Sequence, residues 1–140
     1  MITDQNLLCE LYTNAQLTKH ILQLSITRAS AHDMRSVLSS QLQEYDRIET
    51  EILSIFSRRG WESPDWVSTG RLLYGLRLNG RTCRTDSALS ERVILYFTKD
   101  TIYLLKLLHQ TATHDPILLN IAQKYLDRKY INIRQLQAFL

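Results

Sequence analysis

Residues 30–60 read SAHDMRSVLSSQLQEYDRIETEILSIFSRRG, and the fold turns on this stretch. Ala31, Met34, Leu38, Gln41, Tyr45, Ile48, Ile52 and Ile55 recur at steps of three and four, the spacing that lines one face of an α-helix and makes a bundle seam. Gln41 is the only polar member. Glu44, Arg47, Glu51 and Arg58 fall on the other side, as a solvated face with weak support from neighbouring turns. Ser30 followed by Asp33 resembles a capping box, and Gly60 suits a position just past the helix end, where a positive φ meets no Cβ clash. A helix over 31–59 follows.

Working outward, Thr3 and Asp4 fit an N-cap and a first-turn acid for a helix over 3–29. Leu8, Leu11, Ala15, Leu22, Ile26 and Ala29 form its stripe, widened by Leu7, Leu17, Ile21 and Leu24 as in a helix touching two neighbours. A third helix spans 87–112, with its start near Asp86 or Ser87 and a seam of Leu89, Val93, Tyr96, Asp100, Tyr103 and Leu107. Asp115-Pro116, an N-cap followed by proline at the first helical position, opens a fourth over 116–139. Its inner side is traced by Leu118, Ala122, Tyr125, Lys129, Ile133, Leu136 and Leu140.

The chain therefore reads as one all-α domain over residues 1–140, a four-helix bundle made of two helical hairpins. Short links make the first and second helices, and the third and fourth, antiparallel neighbours. Residues 60–85 form a long arm between the hairpins. The second helix should run roughly 43 Å, and an extended arm could span about twice that. A crossover along the bundle, as in ferritin-like topology, is the expected path, and a fold over one end is the alternative.

Composition sets limits. The 140 residues are 44% hydrophobic and 22% charged, with four Gly and two Pro, which suits a helical globular domain. The formal charge of +3 is too mild to mark a nucleic-acid binder. Cys9 and Cys83 are too few for a disulfide framework, so a reduced cytoplasmic setting is expected. The opening MITDQN has neither a basic nor an apolar leader region, and no apolar run is long enough to span a membrane.

Several short motifs stand out: Thr3-Asp4, the turn Ala29-Ser30-Ala31-His32-Asp33-Met34-Arg35 and Arg59-Gly60-Trp61 in the first half, then Asp115-Pro116 and the tail from Asn132 to Leu140 in the second. By these residues the chain resembles the ferritin-like four-helix-bundle proteins of spore-forming Firmicutes, the spore-coat-F-like family. The resemblance implies a ferritin-like fold and association with the spore coat or a stress role, without a defined catalytic activity. Three departures stand out. Glu62 follows Trp61 where similar proteins have Tyr. Tyr96 and Asp100 replace small residues, and Lys129 and Tyr130 replace acids near the end of the last helix. The last change weakens the inheritance of a metal site.

A di-iron centre needs a Glu from each of two helices and a Glu-x-x-His from each of the others. No Glu-x-x-His occurs, and Lys129 would bring an ammonium to the bundle centre. No metal or cofactor is expected. His20 is mid-helix and His32, His109 and His114 lie at turns; those three could meet a zinc ion only if both turns shared one end.

Antiparallel pairing of the last two helices sets Asp100 level with Lys129. An interior ion pair ringed by Tyr45, Tyr96, Tyr103 and Tyr125, with Gln41 in the same seam, is expected to fix helix register. A small cavity for water or a ligand is the alternative.

The arm supplies Arg71, Arg77, Arg81 and Arg84 with Tyr74, near Trp61 and Trp66. Those rings could stack bases while the arginines contact phosphate. The plainer readings are a solvated loop, or pairing with Glu44, Asp46, Glu49 and Glu51 of another bundle, with the tryptophans capping a core end. There is no phosphate-cradling glycine loop, nucleophile elbow or metal-spaced cysteine motif, and Cys83 has no His or acid fixed beside it. The expected function is non-catalytic assembly, with itself or with other coat proteins. A nucleic-acid module is the runner-up, and a degenerate metal protein the third.

Overall fold

The computed structural model describes residues 2–64 and 85–140. Four helices account for most of them: α1 (Asp4–Arg28), α2 (His32–Arg59), α3 (Asp86–Gln110) and α4 (Pro116–Gln137). The described residues contain no strand, only an isolated bridge between Ile2 and Thr111. None of the helices is long and apolar enough to cross a membrane.

The helix ends follow local chemistry. Thr3 and Thr85 accept the backbone N–H groups of Asn6 and Ala88 through their hydroxyls, each at 3.1 Å. Asp115 accepts from Ile117 N–H at 3.0 Å, and Pro116 sits where a missing N–H costs nothing. Gly60 takes φ +66° and ends α2. The start of α2 differs from the expected capping box. Its N-cap is Ala31, which has no side chain for the role. The carboxylate of Asp86 instead accepts from Ser30 N–H at 2.7 Å and Ala31 N–H at 2.8 Å. Arg35 turns back to donate to the carbonyls of Ala29 and Ser30, at 3.1 and 2.7 Å. A tertiary partner has replaced the local one.

These contacts also set direction. Asp86 places the start of α3 against the α1–α2 turn. At the other end Ile2 N–H donates to Gln110 carbonyl, and the Arg59 guanidinium pairs with Asp115 at 2.5 Å. Hence α1 and α4 run one way, and α2 and α3 the other. The chain between α2 and α3 joins opposite ends of the bundle. His32 consequently lies at one end and His109 and His114 at the other, so the three cannot meet.

All four helices contribute to a continuous core in which Leu7, Leu8, Leu11, Met34, Leu38, Phe56, Leu89, Phe97, Leu104, Leu118 and Leu136 are buried. Two register expectations fail. Leu104 is buried in α3, whereas Tyr103 is 41% exposed and donates its hydroxyl to Glu10 at 2.9 Å. Tyr103 therefore does not belong to the polar core. In α4 the fully buried position is Asn132, with Ile133 at the edge and Leu140 exposed beyond the helix end. A 3.6-residue pitch allows a step of either three or four, and only packing against neighbours selects one.

Four acids of α2 pair within the chain. Lys19 bridges Asp46 and Glu49, at 2.5 and 2.8 Å, Lys124 meets Glu51 at 2.9 Å, and Arg128 meets Glu44 at 3.2 Å.

Candidate functional site

The polar interior lies at mid-bundle. Lys129 of α4 is completely buried, and its Nζ donates to Thr18 Oγ1 of α1 at 2.6 Å. Asp100 Oδ2 of α3 stands 3.2 Å from the same Nζ. Tyr125 of α4 donates its hydroxyl to Asp100 Oδ2 at 2.5 Å and lies 3.2 Å from Thr18 Oγ1.

Proton counting gives this set a direction. A carboxylate can only accept, so the single phenolic proton of Tyr125 goes to Asp100. The Thr18 hydroxyl must then donate to Tyr125, while its lone pair takes the Lys129 N–H. The result is a closed ring, Lys129 to Thr18 to Tyr125 to Asp100, with the Lys129–Asp100 ion pair completing it. Three helices are joined by it.

The fourth helix contributes a ring face. Lys129 Nζ lies 4.1 Å from the ring centroid of Phe97, 4.8 Å from Tyr45, 5.1 Å from Tyr125 and 5.6 Å from Tyr96. Ring quadrupoles attract a cation at such distances. Tyr45 and Tyr125 meet edge to face at 5.8 Å, which holds the enclosure together.

One turn along, Asn132 is also fully buried. With its amide oriented to satisfy both ends, its oxygen accepts the Tyr45 hydroxyl at 3.0 Å, and its nitrogen donates to Glu44 at 3.3 Å and to the Arg128 carbonyl at 3.1 Å. Gln41 donates to Gln135 Oε1 at 2.9 Å and to the Asn132 carbonyl at 3.4 Å. Ser90 donates to the Leu136 carbonyl at 2.5 Å, occupying an acceptor in the last turn of α4.

Burial dominates the electrostatics. It lowers the Lys129 pKa from 10.5 to about 8, against the opposing pull of Asp100. It holds Tyr45 and Tyr125 well above the usual phenol range, and the Asp100 charge adds to the effect. Both phenols stay protonated at neutral pH and act as hydrogen-bond donors.

Of the residues expected in the polar core, Asp100, Lys129, Tyr45, Tyr96 and Tyr125 come together, and Gln41 extends the set through Asn132. Thr18 and Asn132 were missed. Thr18 had a signal, since it fills the gap between Ala15 and Leu22 at steps of three and four. Trp61 packs partly buried against the core end, with the Arg59 guanidinium 5.2 Å above its ring. Trp66, Arg71, Tyr74, Arg77, Arg81 and Arg84, and Cys83 with them, lie outside the described residues.

The donor set does not fit a di-iron centre. The ring supplies one carboxylate and one ammonium, where such a centre needs converging carboxylates and imidazoles. Among the described residues no three His, Cys, Asp or Glu side chains gather as a metal site would need. A groove of about 390 Å³ between α1 and α3, lined by Cys9, Glu10, Tyr103 and Lys106 among others, includes none of the ring residues. In comparisons with models of known families, with curated proteins and with solved structures, nothing matches this chain.

Proposed function

We propose that this chain is a non-catalytic assembly component, a ferritin-like bundle akin to spore-coat-associated proteins, which associates with its own copies or with other coat proteins. It would be made in the cytoplasm and deposited in the coat. The helix directions support the ferritin-like part of this reading, because α2 ends and α3 begins at opposite ends of the bundle, as a long crossover between antiparallel hairpins requires.

The observation that carries the assembly reading is the distribution of exposed apolar side chains. Leu95 and Ile102 on α3 and Ile117, Leu119, Tyr130 and Ile131 on α4 are 42–50% exposed. Among the described residues of α1 and α2, only Leu53 is a comparably exposed large hydrophobic. Scattered apolar residues are ordinary on any surface, but a bias to one hairpin points to the half of the bundle that a partner would cover. The interior supports the non-catalytic part, since its charges are spent on one another.

Sedimentation of the purified chain over a range of protein and salt concentrations tests this. The expected result is self-association that strengthens with concentration and survives high salt. A monomer at every concentration, combined with DNA binding that weakens steeply as salt rises, would replace this reading with a nucleic-acid module.

A further inference from the structure

The Lys129 head group sits in an environment assembled from three other helices as well as its own. Phe97, Tyr45, Tyr125 and Tyr96 turn rings toward it at 4.1–5.6 Å. Asp100 supplies a single negative charge and Thr18 a single lone pair. A hard metal ion would need six or more oxygen donors at short range, and softer ions need thiolates or imidazoles. A primary ammonium needs less: one counter-charge, an acceptor for an N–H, and aromatic faces for the remainder of its charge. The cage has this shape without reference to the aliphatic stem that reaches it.

We propose that the centre of the bundle is an ammonium-binding cage, selective for primary alkylammonium ions over metal cations, whose occupant in the native chain is Lys129 itself. Its tether makes binding intramolecular, which offsets the cost that burial imposes on its charge. Lys129→Ala removes Cγ, Cδ, Cε and Nζ, which together correspond atom for atom to an n-propylammonium ion. That free ion is therefore the ligand of the truncated protein, entering as the chain folds around it.

The test is urea unfolding of Lys129→Ala, with sucrose present so that a destabilised variant still shows a folding transition. n-Propylammonium chloride is titrated against matched sodium chloride, magnesium chloride, tetramethylammonium chloride and n-propanol. The expected result is a rise in the folded-to-unfolded ratio, roughly tenfold when the ion reaches ten times its dissociation constant. The native chain should not respond, because its cage is full. Lys129→Ala combined with Asp100→Asn should lose the response. Equal stabilisation by n-propanol would mean a dry cavity rather than a cation site and would overturn the proposal. So would equal stabilisation by the inorganic salts or tetramethylammonium, an equal response in the native chain, or a response that survives Asp100→Asn.

Discussion

Lys129 and Thr18, 111 positions apart, meet at 2.6 Å, closer than Lys129 approaches its counter-ion Asp100 at 3.2 Å. The ion pair foreseen from helix register is thus one side of a four-membered ring, and a neutral hydroxyl makes its shortest contact with the ammonium.

Removing that hydroxyl should cost more than its size suggests. Thr18→Val keeps the shape but leaves a buried N–H of Lys129 without its acceptor, for a loss of about 1–3 kcal/mol. Thr18→Ser retains the acceptor and should stay within about 1 kcal/mol of the native chain. Urea midpoints for the two variants decide it; equal losses would show that the methyl, not the hydroxyl, matters.

The charges of Asp100 and Lys129 should be strongly coupled. Asp100→Leu or Lys129→Met alone strands a buried charge and should cost about 3–5 kcal/mol. The double substitution strands none and should be more stable than either single variant. Losses that simply add in thermal melts would mean that the two groups do not interact.

Stability should climb on the alkaline side of neutrality. Lys129 titrates near 8 when folded and at 10.5 when exposed, so below pH 8 the folded state carries the full cost of a buried charge. From about pH 8 to 10.5 the folded protein releases the proton first, and stability rises by up to about 3 kcal/mol. Tyr45 and Tyr125 act in the opposite sense. Their folded pKa values are raised, so the stability they contribute is present below about pH 10 and is lost above it. A maximum near pH 10 is expected, followed by a fall. Urea midpoints that stay flat from pH 8 to 9.5, or rise equally in Lys129→Met, would count against this.

Asp86 should act at a distance from its own helix. Asp86→Ala removes the acceptor for Ser30 and Ala31, and the expected cost is about 1 kcal/mol because the site is exposed. Hydrogen exchange gives the specific readout. The amides of Ser30 and Ala31 should lose protection while those at the centre of α2 do not; unchanged protection would show that the carboxylate is dispensable.

On the outer face, Leu95→Glu and Ile102→Glu should weaken self-association while shifting monomer stability by no more than about 0.5 kcal/mol. If sedimentation of both variants matches that of the native chain, the α3 face is not the contact surface.

Thr3, Asp115-Pro116 and Gly60 were legible as helix boundaries because caps act through neighbouring backbone groups. Asp100 and Lys129 were legible as partners because the short link between α3 and α4 fixes their relative height. Ser30 was misjudged because Asp86, a residue 56 positions away, satisfies its N–H instead. Tyr103 was misjudged because a step of three rather than four turns a side chain from core to surface. Asn132 took the place expected of Ile133 by the converse choice, since from Lys129 the step of three is the buried one.

The sequence by itself determined the helices, their approximate limits and the presence of a charged couple inside a greasy bundle. Those properties are periodic or local, written within a few turns. Tertiary structure alone decided that α3 starts beside the α1–α2 turn, that Thr18 closes the ring, and that four aromatic faces enclose one ammonium. Each of those depends on groups brought together from separate helices, and the distance between such groups has no counterpart in their spacing along the chain.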